Sequence, residues 1–125
     1  MKENVSILAN HDLFIAAEIG GNHLGDKQRL MQLVTAAANS GANGVKFQCL
    51  TPEQMVGDPS FTIPSGPWSG KNLLDLYRET HTPQEWFSEA FDLARSLGLV
   101  PFASVFHEDD VAFMENMDCQ MYKIS

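Results

Sequence analysis

Two rhythms of apolar and polar residues take turns along this chain. One is the short, nearly unbroken apolar run of a strand buried on both faces; the other is the spaced apolar repeat that marks one side of a helix. FIAAEI, from Phe14 to Ile19, is the first run. It gives way at Asp26 to a helical repeat carried by Leu30, Leu33, Val34, Ala37 and Ala38, with Asp26 as the N-cap and Gly41 as the stop. A second run, GVKFQCL, predicts a strand from Asn43 to Leu50. Strand, helix and strand in this order form a βαβ unit, whose crossover makes the two strands parallel.

The alternation then continues. Thr51 to Lys71 is rich in proline, glycine and serine and reads as a long loop; it leaves the same end of its strand as GGNH, the glycine turn from Gly20 to His23 after the first strand, which is the setting of lids and binding loops. A short helix from Asn72 to Glu79 follows. Thr82, Pro83 and Glu85 look like an N-cap, a first-turn proline and a capping-box acid, opening a helix whose apolar face is Phe87, Ala90, Phe91, Ala94 and Leu97 and which Gly98 ends. Leu99 to Phe106 reads as a third strand, and His107 to Met117 as a helix with Val111 and Met114 inward and His107 in a capping or solvated role. Gln120 to Ser125 reads as a fourth strand, and residues 1–13 as a leader with a short hairpin around Val5, Ile7 and Leu8. The fold class is therefore α/β with a parallel sheet: either open and doubly wound, or the N-terminal half, about four βα units, of a (β/α)8 TIM-type barrel. Because no helix follows the last apolar strand, residues 1–125 are expected to be the N-terminal part of one barrel domain, cut after strand four.

Composition narrows the partners rather than the fold. Hydrophobic residues at 44% and charged ones at 19% are the make-up of a globular domain, and 16 acidic against 8 basic residues leave a formal charge of -8. No basic face is on offer to a phosphate backbone or an anionic membrane, which argues against nucleic acid and membrane as partners. Neither a membrane-length apolar run nor the pattern of a signal peptide occurs, and a cytoplasmic location is expected. Cys49 and Cys119 lack CxxC spacing and read as buried free thiols.

Candidate chemistry comes from strand parity. Alternate side chains of a barrel strand point inward and outward. Glu18 shares the parity of Phe14 and Ala16, Lys46 that of Gln48, Ser104 that of Phe102, and Lys123 and Ser125 that of Met121. A carboxylate, two ammoniums, an amide and hydroxyls are thus predicted on one face near the C-terminal ends of their strands, where barrels place active sites. Either lysine alone is as well explained by reaching to solvent, and Lys46 by an ion pair with Glu18. Two in phase, beside a carboxylate and a hydroxyl, suit an anionic ligand carrying phosphate or carboxylate.

AEIGGNHLGD, GANGVKFQ, FASVF and the terminal YKIS, in that order between Phe14 and Ser125, resemble the N-terminal half of the sialic acid synthase family, which includes synthases of other nonulosonic acids and of spore-coat polysaccharide precursors. The resemblance implies a (β/α)8 barrel that condenses phosphoenolpyruvate (PEP) with the open-chain aldehyde of an N-acetylated amino sugar, N-acetylmannosamine or a relative. It implies a divalent metal, manganese or magnesium, whose ligands belong to later strands, so that no residue of this chain is assigned to it. By position it makes Lys46, Ser104 and Lys123 contacts of PEP, sets Gln48 and Glu18 at the sugar and the reacting centre, and puts Asn22 and His23, from the GxNH signature, among the substrate contacts. Glu18, Lys46 and Gln48 are the catalytic candidates, with Glu18 handling a proton or orienting water. A chain ending at Ser125 is expected to be inactive by itself.

Other readings stay open on the residues. One is a different PEP-dependent synthase, making a sugar acid from a phosphorylated aldose; another is a Schiff-base aldolase with Lys46 or Lys123 as nucleophile. A third is a half-barrel that binds a ligand or partner without turnover. Its unpaired strand edges make a homodimer the expected assembly.

Overall fold

The structure, a computed structural model, describes residues 7–10 and 12–125. Ile7–Asn10 form a 3-10 turn rather than the hairpin expected around Ile7 and Leu8, and Val5 lies outside the described residues. β1 (Ala16–Glu18) leads into α1 (Lys27–Asn39), β2 (Gly44–Cys49), the one-turn α2 (Pro52–Met55) and α3 (Leu73–Thr80). α4 (Gln84–Ser96), β3 (Val100–Val105), α5 (Glu108–Asn116) and β4 (Tyr122–Ile124) complete the chain.

The strands pair in parallel in the order β1-β2-β3-β4. In a doubly wound sheet the order reverses partway along. Here each strand joins on the same side as the one before, which is the progression of a barrel wall and decides between the two architectures left open by periodicity. The core forms where Val45, Phe47 and Cys49 of β2 and Ala103 and Val105 of β3 meet Leu30 and Val34 of α1, Phe87 and Phe91 of α4 and Met114 of α5. Phe47 is its centre, with ring centroids 5.4 Å from Phe91 and 5.9 Å from Phe87. Cys49 and Cys119 are buried free thiols, as expected. Among the described residues no helix is long and apolar enough to cross a membrane.

Helix ends show where local rules were overridden. Asp26 caps α1 as expected, accepting from the Arg29 N–H at 3.0 Å. α4 starts differently: Pro83 is its N-cap and no side chain caps it, because the Thr82 hydroxyl is committed to His23. Leu97, expected on the inward face of α4, is instead its C-cap and is exposed. At α5, His107 is the N-cap and accepts from the Asp109 N–H at 3.2 Å. Asp110, not Val111, turns inward together with Met114; its carboxylate accepts from the N–H groups of Phe106 (3.1 Å) and His107 (2.9 Å), while Val111 is exposed.

The long connection after β2 has structure of its own. α2 takes its first residues, and the remainder folds back on itself, with Ile63 N–H donating to Lys71 O, Gly70 N–H to Ile63 O and Leu73 N–H to Phe61 O. Asn72 then caps α3 and also ties it to the loop, its amide donating to Pro59 O at 2.8 Å.

Candidate functional site

Laterally paired residues of parallel strands point to the same side of the sheet, so register decides which side chains meet. Glu18 pairs with Lys46, Lys46 with Phe102, Gln48 with Ser104, and Ser104 with Lys123. All six therefore share one face, opposite the side chains of Val45, Phe47 and Cys49 that enter the core. At the N-terminal ends of the strands this face is apolar: the rings of Phe14 and Phe102 meet edge-on, 6.5 Å between centroids. Phe14 lies over Gly44, where a Cβ would come within 2.6 Å of the ring. Glu18 and Lys46 stand level with Phe102, and Gln48, Ser104 and Lys123 two residues further along.

Lys46 is the best fixed of them. Its Nζ lies 2.5 Å from Glu18 Oε2 and donates to Ser104 Oγ at 2.8 Å, bridging β1 and β3 across β2. The Lys46 side chain is 13% exposed against 51% for that of Glu18, and Ser104 is buried. An ammonium has three N–H donors, so two named partners aim the cation while leaving it capacity for an anion. Glu18, half in solvent, is the partner that an incoming anion would most easily replace. Lys123 is exposed, stands opposite Ser104 in the β3–β4 register, and donates to Ser125 Oγ at 3.2 Å. Ser104 thus sits between two cations, bonded to one and paired in register with the other. Gln48, half-buried, is the register neighbour of the same serine.

Two members of the GxNH signature go different ways. Asn22 is exposed and donates from Nδ2 to Ile19 O at 2.8 Å, closing the end of β1. Its Nδ2 and Glu18 Oε1 are each 3.9 Å from the point where Gly20 would carry a Cβ, so amide and acid flank the same glycine. His23 does not join them. It is fully buried, its Nδ1 accepts the Gly25 N–H at 3.1 Å, its Nε2 is 3.0 Å from Thr82 Oγ1, and its ring meets Trp86 edge-on at 5.7 Å. Because Nδ1 is the acceptor, the proton sits on Nε2 and is donated to Thr82. Burial holds this imidazole below its ordinary pKa, with His81 adding to the depression and Asp26 opposing it. Both ring nitrogens are engaged within the protein, at a buried position away from the face that carries Glu18 and Lys46, whereas the resemblance implied a substrate contact for His23. Thr82 was the residue missed: beside a proline at a helix start it is fully explained as a cap, and nothing in the sequence marks it as the partner of a histidine 59 positions away.

Among the described residues no group of three or more His, Cys, Asp or Glu side chains comes together to hold a metal ion.

Comparison with known proteins agrees with this architecture. Residues 33–125 match the family model described as the NeuB family. The pseudaminic acid synthase of Helicobacter pylori is 39% identical over 115 residues, covering 89% of this chain and 34% of that protein. A pseudaminic acid synthase of Campylobacter jejuni is 34% identical over 116 residues, covering 90% of this chain and 34% of that protein. The solved structure of the N-acetylneuraminic acid (sialic acid) synthetase of Leptospira borgpetersenii superposes with a TM-score of 0.78 at 23% identity, over 92% of this chain and 36% of that one, a likeness of fold. The chain spans about a third of the length of the curated relatives it matches.

Proposed function

This chain belongs to the NeuB family, and on that footing we propose that it supplies the anion-holding side of a cytoplasmic synthase that joins PEP to an N-acetylated amino sugar, giving a nonulosonic acid and inorganic phosphate. The observation that carries this reading is the Lys46 ammonium, aimed by Glu18 and Ser104, with Lys123 in register beside that serine. PEP presents a phosphate and a carboxylate close together, and two cations on one face with a buried hydroxyl between them match such a pair of charges. The similarity to proteins named pseudaminic acid synthases supports the same class of product.

In the reaction C3 of PEP bonds to the aldehyde carbon of the open-chain sugar, and the aldehyde oxygen takes up a proton. Water adds at C2, and phosphate departs as its C–O bond to C2 breaks. Lys46 and Lys123 offset the charge of PEP and hold its enol carbon against the aldehyde. Gln48 donates to the sugar from beside Ser104. Glu18 loses its ion pair when the anion takes over the Lys46 ammonium, and the freed carboxylate accepts the proton of the attacking water. The divalent metal implied by the resemblance meets no ligand set among the described residues, and none of these steps runs through it.

The test is phosphate release by the full-length gene product given PEP and, in separate reactions, a panel of N-acetylated amino sugars including N-acetylmannosamine, or arabinose 5-phosphate. Release is expected with an amino sugar and not with arabinose 5-phosphate, and Lys46→Met is expected to lower kcat/KM by about 100-fold or more. Release with arabinose 5-phosphate alone, or a Lys46→Met enzyme close to wild type, would overturn the reading. Borohydride reduction in the presence of pyruvate should leave no adduct on Lys46 or Lys123; an adduct would make the protein a Schiff-base aldolase.

A further inference from the structure

The turn after β1 is held from outside the sheet, by a residue that does not face the ligand. We propose that His23 is a positioning residue whose imidazole clamps this turn to the link between α3 and α4 and so fixes where Glu18 and Asn22 stand; the part played by those two residues rests on the function proposed above.

Several contacts converge on that link. Thr82 receives the Nε2–H of His23 at 3.0 Å. Gly21 approaches Thr80 so closely that a Cβ on it would lie 2.9 Å from Thr80 Cβ and 3.0 Å from the Thr80 carbonyl oxygen. The backbone between them is under constraint: Leu24 has φ 51, in the left-handed region that a leucine rarely adopts. Its side chain is exposed. The backbone is held there by the Leu24 N–H on Gly21 O at 3.0 Å and by the histidine, whose Nδ1 takes the Gly25 N–H at 3.1 Å while its carbonyl takes the Asp26 N–H at 3.0 Å. A neutral imidazole carries an acceptor and a donor on opposite edges of one rigid ring, and both are in use. Asparagine can copy the first and glutamine the second; neither spans both.

The clamp also has a reach beyond the turn. α3 is tied at its start to the loop after β2 through Asn72 and Pro59 and at its end to the β1 turn, so loop and acid share one support. Lys46, Ser104 and Lys123 come from β2, β3 and β4, and a Lys46 that loses its Glu18 partner, as it does when the anion binds, still keeps Ser104. Loosening the clamp therefore disturbs the acid and leaves the anion grip in place.

In the full-length gene product, Thr82→Val removes the acceptor at nearly constant volume and Thr82→Ser restores it. Thr82→Val is expected to lower kcat by about tenfold or more with KM for PEP within about twofold of wild type, and Thr82→Ser to return to wild-type values. Amide exchange at Gly25 should quicken in Thr82→Val and not in Thr82→Ser. A Thr82→Val protein with unchanged kcat and unchanged Gly25 exchange overturns the proposal, as does one whose KM for PEP rises as far as its kcat falls. Should the wild-type protein release no phosphate from PEP with any acceptor, the function fails while the clamp is still decided by nitrogen-15 spectra of the histidines: His23 protonated on Nε2 supports it, and protonation on Nδ1 refutes it.

Discussion

At Gly44 a side chain would stand 2.6 Å from the ring of Phe14 and 3.0 Å from the carbonyl oxygen of Val100. Neither neighbour yields cheaply, since the ring is braced by Phe102 and the carbonyl belongs to the strand paired with β2. Gly44→Ala must push Phe14 off Phe102 or part β2 from β3, and it is expected to cost about 1–3 kcal/mol, read as a lower urea midpoint with an unchanged slope. Gly57→Ala is the control, because a Cβ there meets nothing within 4 Å, and it should stay within about 0.5 kcal/mol of wild type. Parity made the common face of Glu18, Lys46, Ser104 and Lys123 legible in the sequence, because alternation belongs to the backbone and holds whatever the strands pack against. The role of Gly44 was not legible: an absent side chain is informative only once it is known whose ring fills the space. Chemical environment was hidden in the same way. Cys49 could be read as buried, but not that burial, helped by the Asp110 carboxylate, pushes its thiol up to about 12.

Elements were read well wherever hydrophobic period dominated and poorly wherever a polar group had a better partner than its local role supplied. α1, α3, α4 and the strands β2 and β3 follow their apolar spacing to within a residue or two, since removing their apolar faces from water does most to place them. α2, with 4 residues, is too short to show a period. In α5 the valine expected inside is outside, because Asp110 satisfies two backbone N–H groups that would otherwise lose their acceptor. The consequence belongs to the helix as a unit. Asp110→Ala should strip the first turn of α5 of that acceptor and destabilise the protein by about 1–3 kcal/mol, whereas Asp110→Asn, which keeps an oxygen in place, should lose less. Thermal unfolding of the two variants side by side checks the ranking. Equal losses would mean that the carboxylate acts by charge, and no loss in either that the helix does not need its cap.

Across the whole molecule, the order β1-β2-β3-β4 sets strands side by side against the helices, and one buried imidazole adds a polar tie between the β1 turn and Thr82 in the helical layer. That places a titration between layers, and its sign follows from the burial. His23 is depressed below the ordinary value of 6.5 chiefly by burial, with His81 in the same direction and Asp26 against it; its other close partners, Thr82, Gly25 and Trp86, carry no charge. The unfolded chain therefore takes up the proton first as pH falls. Stability is complete above pH 6.5 and is lost progressively below it toward the folded-state value. The depressed carboxylates act later: Glu53, lowered by its backbone hydrogen bond and then by Arg78, and Asp58, lowered by Ser60, add losses only below their ordinary values of 4.5 and 3.8. Urea unfolding measured from about pH 7 to pH 5 should thus show wild-type stability falling with a slope of up to about 1.4 kcal/mol per pH unit, and His23→Gln should flatten that slope even though it starts from a lower stability. A wild-type curve already flat over this interval, or a His23→Gln curve falling in parallel with it, would mean that the proton goes elsewhere and that the layers are not joined through this ring. Because protonation removes the lone pair that receives the Gly25 N–H, the same acid interval should lower the protection of Gly25 against exchange, relative to its intrinsic rate at each pH, before it unfolds the sheet, which separates local release of the turn from global loss of structure.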